Sequence, residues 1–297
     1  MATALGAGHL ALVVGTGMAR WEHVAVDVLL AGLGWSPARR FLKGALPLWI
    51  TGVMLDNQRL WLPLRGPIHT GDLWELERAL FPATVDGSVS TWPAYFAAHP
   101  RVALDVISGL AYATYLAEIF ALLLALFARR DGHFERLAWT FFAVNALGCF
   151  IYVVYPAAPP WYVMEHGMGA ANLASPPSAA GAARFDALLG VEIFGGFYSR
   201  NPNVFGAMPS LHTAYPVVAL WHVWHLGTWW RIAAATYGAL IAFSAVYLAH
   251  HYVLDVLAGV AVAVAACATV DLLAASLESR SPRMHPTLLR AEEESRV

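Results

Sequence analysis

Charge is scarce in this sequence. Only 13% of the 297 residues are Asp, Glu, Lys or Arg, and Lys43 is the only lysine. Soluble domains carry about 25% charged residues, and nucleic-acid binding needs clustered basic side chains. The composition therefore excludes a disordered chain, a nucleic-acid binder and an ordinary soluble enzyme. What is abundant is apolar surface, at 59% of residues, which is typical of a polytopic membrane protein.

Cysteine is also rare. Cys149 and Cys267 both lie in apolar runs, so we predict two packed free thiols rather than a disulfide or a pair of metal ligands. A cleavable signal peptide is not expected, because no basic residue precedes the first apolar stretch. Insertion would then depend on transmembrane helices.

Six segments approach the roughly 20 apolar residues that a helix needs to cross a bilayer. We therefore predict an all-α fold, a polytopic membrane helical bundle with a six-transmembrane catalytic domain over residues 44–276. An interfacial or re-entrant helix should precede it in residues 1–43, and a charged, disordered cytoplasmic tail should follow in residues 277–297. The predicted spans are 44–63, 104–127, 137–155, 208–224, 230–248 and 253–275.

Arginine placement predicts the orientation of these spans. The basic groups at 39–43, 129–136 and 280–296, together with Arg231, fall on one side of a six-span chain, which we assign to the cytoplasm. The outer loops, 64–103 and 156–207, then share the opposite side. We expect an integral protein of a bacterial inner membrane with that side periplasmic, or lumenal in the Golgi of a eukaryote.

Two polar groups open the predicted fourth and sixth spans on that outer side. One is Pro209-Ser210-Leu211-His212, and the other is His251 with Asp255 one helical turn later. Ionisable residues in membrane spans are costly and indicate function, although either motif alone also fits a structural hydrogen bond.

The residue types in these two groups suit phosphoryl transfer. Asp255 can orient His251 as a nucleophile, and His212 can act as the complementary acid and base. Ser210 and the helix N-terminus can bind the phosphate. A facial metal triad of His212, His251 and Asp255 is disfavoured, because no further carboxylate or cysteine clusters near them.

The two groups also resemble the Pro-Ser-x-His and His-x-x-x-Asp elements of the type 2 phosphatidic acid phosphatases. The chain is more similar still to one branch of that superfamily, the inositol phosphorylceramide synthases, which include the fungal aureobasidin-A targets and bacterial relatives. This resemblance covers about a third of the chain and implies the six-helix core of the superfamily. The similar stretches are 155–162 (Tyr-Pro-Ala-Ala-Pro-Pro-Trp-Tyr), 203–212 and 247–255.

The phosphatase set of arginines is absent from this sequence. Ala245 follows Ser244 where the phosphatases usually place an arginine, and no Lys-x6-Arg-Pro element is present. The synthase branch also lacks this set, so another cation should hold the phosphate. The candidates are Arg59, at the outer end of the first span, and Arg200, before the Pro-Ser-Leu-His element. The alternative for each is an interfacial arginine that snorkels to the lipid head groups.

Glu118 lies within the second span on one helical face with Tyr115. An acidic residue supports the catalytic histidines in related sphingomyelin-type synthases, and this resemblance makes Glu118 a candidate accessory residue. The alternative is a neutral, hydrogen-bonded core glutamate.

The resemblance implies a membrane phospholipid head-group transferase. His251 would attack the phosphorus of a glycerophospholipid, His212 would protonate the departing diacylglycerol, and the phospho-head group, expected to be phosphoinositol, would pass to a ceramide or another lipid alcohol. No cofactor or metal is expected, and the partners are these lipid substrates and the membrane lipids. Two alternatives stay open: a phosphatase for phosphatidic acid or a polyprenyl diphosphate, and a non-enzymatic transporter or binding subunit. Any enzymatic mechanism requires the rings of His212 and His251 to lie within about 10 Å of each other.

Overall fold

The computed structural model describes residues 36–280 and two isolated positions, Gly8 and Ala11. Most of the predicted N-terminal segment and of the predicted tail lie outside the described residues. Within them, the chain is mainly helical. The helices are α1 (Ser36–Gly44), α2 (Leu46–Asp56), α3 (Gln58–Trp61), α4 (Gly71–Leu80), α5 (Trp92–Ala98), α6 (Val102–Ala128), α7 (His133–Val154), α8 (Pro160–His166), α9 (Ala183–Leu189), α10 (Ile193–Tyr198), α11 (Leu211–Val223), α12 (Thr228–Tyr247) and α13 (Val253–Arg280).

The long helices run alternately in opposite directions. At one end of the bundle, the Tyr247 hydroxyl at the end of α12 donates to the Arg101 carbonyl before α6, at 3.1 Å. At the opposite end, Arg136 near the start of α7 pairs with Glu278 near the end of α13, at 2.7 Å. The N-termini of α11 and α13 therefore share an end of the bundle, as the predicted site requires.

Three helices of the described chain are long and apolar enough to cross a membrane: Val102–Ala128, His133–Val154 and Val253–Ser279. Two predicted spans, 44–63 and 208–224, contain shorter helices than expected. The helix α2 ends at Asp56, and the Asn57 side chain then donates to the Val53 carbonyl at 2.8 Å. The helix α11 has 13 residues and gives way to a 3-10 turn that leads to Gly227, whose φ of 111° favours glycine.

The predicted helical fold is confirmed in the main, but the segment that follows α4 contains two strands that the all-α prediction did not include. Strands β1 (Pro82–Val85) and β2 (Ser88–Thr91) form an antiparallel hairpin. Its turn residues, Asp86 and Gly87, have φ values of 47° and 79°. Both values are positive, as a type I′ turn requires, and Asp-Gly is a preferred sequence for this turn.

The main apolar core runs along the bundle. It includes the fully buried Leu126 and Val218, and it reaches the end that carries the two polar motifs at Leu211. Cys149 and Cys267 are buried free thiols, which confirms the prediction for them. Because this core is apolar, the ionisable residues that border it at that end need a separate explanation.

Candidate active site

His212 and His251 are in direct contact. His212 is the second residue of α11, and His251 lies just before α13. The Nδ1 atom of His212 is 3.0 Å from Nε2 of His251. This distance is well below the separation of about 10 Å between the two rings that an enzymatic mechanism allows.

The Ala207 carbonyl fixes the tautomer of His251. Its oxygen is 2.8 Å from Nδ1 of His251, whereas Oδ2 of Asp255 is 3.5 Å away. A carbonyl only accepts, so Nδ1 carries the hydrogen, and Nε2 of the neutral ring is a bare nucleophile that accepts from His212. The prediction gave the orienting role to Asp255, and the structure places the Ala207 carbonyl in the closer position.

Asp255 lies beneath His251 and is completely buried. Its Oδ2 accepts a hydrogen bond from the Tyr252 backbone N–H at 2.8 Å, whereas Oδ1 has no partner among the described residues. A carboxylate in this position is suited to stabilise positive charge on the His251 ring.

A short backbone ladder holds the Ala207 peptide in place. Ala157 donates to the Phe205 carbonyl at 2.9 Å and accepts from the Ala207 N–H at 3.2 Å. On its other side, Ala157 forms a parallel bridge with His69. The stretch 155–162, which carries part of the family resemblance, thus supports the carbonyl that orients His251.

Glu77 is a positioning residue that sequence reasoning missed. It lies on α4 and is completely buried, and its two carboxylate oxygens accept from the Val253 and Leu254 N–H groups at 2.9 and 3.1 Å. It therefore caps the first turn of α13, the helix that carries Asp255. Burial raises the pKa of Glu77, and the two backbone hydrogen bonds oppose that shift. A weak indication of this role in the sequence is the helical spacing between Glu77 and Leu73, because this spacing puts the two residues on the same buried face of α4.

Ser210 is a helix cap in the structure, not a group of the cavity wall. Its Oγ accepts from the Thr213 N–H at 3.3 Å, and the side chain is completely buried. Its backbone N–H donates to the Asp255 carbonyl at 2.9 Å, which ties the start of α11 to α13. Gly259 permits this approach, because a Cβ there would lie 2.3 Å from the Ser210 carbonyl oxygen.

A cavity of about 480 Å³ lies beside the paired imidazoles. Of the predicted substrate-binding residues, Arg200 and Tyr115 line it. The Tyr115 and His212 ring centroids are 4.5 Å apart. Arg200 brings a cation to the same cavity. The polar and aromatic residues that line it include His212, His250, His251, Tyr115, Arg200 and Asn203.

Arg59 and Glu118, like Ser210, are not in the lining of this cavity. Arg59 lines a second cavity with Arg65, whereas Leu55 and Gln58 line the cavity beside the histidines. Glu118 is one turn beyond Tyr115 on α6, and its Oε2 is buried without a partner among the described residues. Arg200 therefore shares a cavity with the histidine pair, and Arg59 lines a different one.

Two imidazoles in contact, one with a bare nitrogen and both beside a cavity in a helical bundle, suit an enzyme of the phosphoryl-transfer class. A profile of the PAP2 superfamily matches residues 72–269, and the chain belongs to that superfamily. This confirms the resemblance drawn from the two motifs. With three helices able to cross a bilayer, the chain is an integral membrane enzyme of this superfamily.

Several similar proteins are synthases. A phosphoinositol dihydroceramide synthase of Bacteroides thetaiotaomicron is 36% identical over 250 residues, which cover 82% of each chain. An inositol phosphorylceramide synthase catalytic subunit of Schizosaccharomyces pombe is 29% identical over 82% of this chain and 57% of its own length. An inositol phosphorylceramide synthase of Candida albicans is 34% identical over 42% of this chain and 26% of its own. No solved structure matches the chain.

Proposed function

We propose that this protein transfers a phosphoinositol head group from a glycerophospholipid to a ceramide-type lipid alcohol, through a phosphohistidine at His251. The observation that carries the proposal is the bare Nε2 of His251, fixed by Ala207 and in contact with His212. The names of the similar synthases support phosphoinositol as the transferred group and a ceramide as the acceptor. Leu116, Phe197 and Leu211 line the same cavity and suit a lipid chain.

In the first step, the phosphate of the donor takes the place of the hydrogen bond between the two rings. Nε2 of His251 attacks phosphorus, and the bond from phosphorus to the diacylglycerol oxygen breaks. His212, in its protonated form, gives its proton to that oxygen. The phosphate charge favours the protonated form of His212 before attack, and Asp255 stabilises the cationic His251 ring afterwards.

In the second step, neutral His212 takes the proton of the acceptor hydroxyl. The acceptor oxygen attacks phosphorus, the bond from phosphorus to Nε2 breaks, and both imidazoles return to their starting protonation. Arg200 and the N-terminus of α11 stabilise the phosphate charge during both steps.

We propose that six helical segments cross the membrane, and that the site faces the periplasmic or lumenal leaflet.

Water as the acceptor would make the same residues a lipid phosphatase. The position where the phosphatases usually carry an arginine is Ala245, which is completely buried. Its carbonyl accepts from the His250 and His251 N–H groups at 3.1 and 3.0 Å. This position therefore supports the histidines and supplies no cation, which favours the transferase.

The test uses purified protein and phosphatidylinositol labelled in the inositol head group, with and without ceramide. We expect a labelled sphingolipid only when ceramide is present, and a loss of about 1,000-fold or more in His251→Ala. His225→Ala, changed at the opposite end of the bundle, is the matched control and should keep its activity. Equal release of free inositol phosphate with and without ceramide would indicate transfer to water in place of a lipid alcohol, and normal activity in His251→Ala would end the mechanism.

A further inference from the structure

Asn203 places an unsatisfied amide in the wall of the histidine cavity. The residue is only 6% exposed, yet neither Oδ1 nor Nδ2 has a hydrogen-bond partner among the described residues. Buried amides normally have partners, and their desolvation is costly without them. The side chain lies over Gly206, where an added Cβ would be 2.9 Å from Nδ2. Asn203 is thus next to the ladder that holds the Ala207 carbonyl.

His250 is a second residue in the lining of this cavity with an unsatisfied side-chain atom. Its ring is parallel to Tyr198, with the centroids 4.5 Å apart, and it is 5% exposed. The ring hydrogen-bonds the Ala179 backbone, and burial lowers the pKa of His250 to about 3. The ring is therefore neutral at pH 7. Its Nε2 has no partner among the described residues and is left as a bare acceptor.

We propose that Asn203 and His250 form the subsite that recognises the hydroxylated ring of the transferred head group. This inference rests on the proposed function and adds the groups that select its donor. A ring hydroxyl both donates and accepts, so neighbouring hydroxyls can satisfy the amide N–H and C=O of Asn203 and donate to Nε2 of His250. An ethanolamine head group offers only donors and would leave the Asn203 N–H unpaired, and a choline head group offers neither donor nor acceptor. Both residues share the cavity of the reactive histidines, so the ring would be next to the phosphorus.

The test measures binding separately from turnover. Inositol phosphate and inorganic phosphate are titrated into the purified protein by calorimetry. We expect Asn203→Leu, and His250→Phe with its stacking retained, each to weaken inositol phosphate binding about tenfold, the loss expected for a neutral hydrogen-bonded group. Phosphate binding should change little. Val204→Ala, which trims an apolar residue of the same cavity wall, is the control and should leave the ratio of the two affinities unchanged.

Each other outcome is decisive. If both affinities fall together in Asn203→Leu, the residue only shapes the cavity, and if neither falls, it does not touch the ligand; either result overturns the subsite. Wild-type transfer from phosphatidylinositol, measured in the same preparation, separates the two proposals. If the wild-type protein transfers phosphoinositol and Asn203→Leu keeps the same selectivity, the proposed function stands and the subsite is wrong. If the wild-type protein neither binds inositol phosphate nor transfers it, both proposals are wrong.

Discussion

Histidines cluster at both ends of the helical bundle, and the two clusters differ in how their polar atoms are satisfied. At the end opposite the active site, Nε2 of His225 is 2.7 Å from Oδ2 of Asp131, and Nε2 of His222 is 3.1 Å from the Thr140 hydroxyl. His133 stacks on His225, with ring centroids 4.1 Å apart. Although Asp131, His133 and His225 lie close enough to share a metal ion, these hydrogen bonds already account for their arrangement.

The active-site cluster contains polar atoms that have no hydrogen-bond partner among the described residues. Oδ1 of Asp255, Nε2 of His250 and both amide atoms of Asn203 have no partner among the described residues, and Asn203 and His250 face a cavity. Since buried polar groups are normally satisfied by the protein itself, we infer that a substrate supplies the partners of the two residues that face the cavity. The comparison separates histidines whose hydrogen bonds hold the fold together from the histidines to which we assign the proposed chemistry.

Substitution of the aspartate in each cluster should give the largest contrast. Asp255→Asn removes the charge that stabilises the phosphorylated His251 ring, so we expect kcat to fall about 100- to 10,000-fold. Asp131→Asn breaks a pair at the opposite end, where His225 is partly exposed, and kcat should stay within about twofold. Head-group transfer assays on the two variants measure both values. Similar losses in both variants would contradict the distinction between the clusters.

The contact between α11 and α13 should be the next most sensitive feature. A Cβ in Gly259→Ala would be 2.3 Å from the Ser210 carbonyl oxygen, so the two helix starts must separate and carry His212 away from His251. A displacement near 1 Å can reduce turnover about 100-fold. In Gly52→Ala on α2, a Cβ meets nothing within 4 Å, and helix propensity should stabilise the protein by up to about 1 kcal/mol. Wild-type turnover in Gly259→Ala would show that this contact does not set the histidine geometry.

The cap of α13 should have a smaller effect. Glu77→Ala leaves the Val253 and Leu254 N–H groups without an acceptor, which costs about 1–3 kcal/mol for each buried group. We expect a lower unfolding temperature in detergent and a loss of about tenfold in kcat, because α13 begins directly after His251. Glu75→Ala removes only an exposed pair with Arg78 and should change neither quantity measurably. Equal unfolding temperatures for the two variants would exclude the cap.

The histidines and Asp255 could be predicted from the sequence because each lies in a local pattern. His251 and Asp255 are one helical turn apart, and His212 follows a Pro-Ser helix start, so local spacing places them at helix N-termini. The hairpin was also predictable, since Asp86-Gly87 is a turn signal that the all-α prediction neglected.

The supporting groups could not be predicted, because they act through long-range backbone contacts. The Ala207 carbonyl that orients His251 is 44 residues away in sequence, and Glu77 is 176 residues from Val253. A carbonyl carries no side-chain signal, and a glutamate on a short outer helix is normally exposed. The position of Arg59 could not be predicted for a related reason, since the direction of the chain after Asp56 depends on tertiary packing.

The most direct test of the mechanism is to find the phosphate ester on His251. Purified protein is mixed with head-group-labelled phosphatidylinositol without ceramide, quenched at alkaline pH, digested and examined by mass spectrometry. We predict an inositol phosphate adduct on the peptide that contains His251, absent in His251→Ala and discharged when ceramide is added before the quench. An adduct on His212, or normal turnover with no adduct on either histidine, would contradict the account.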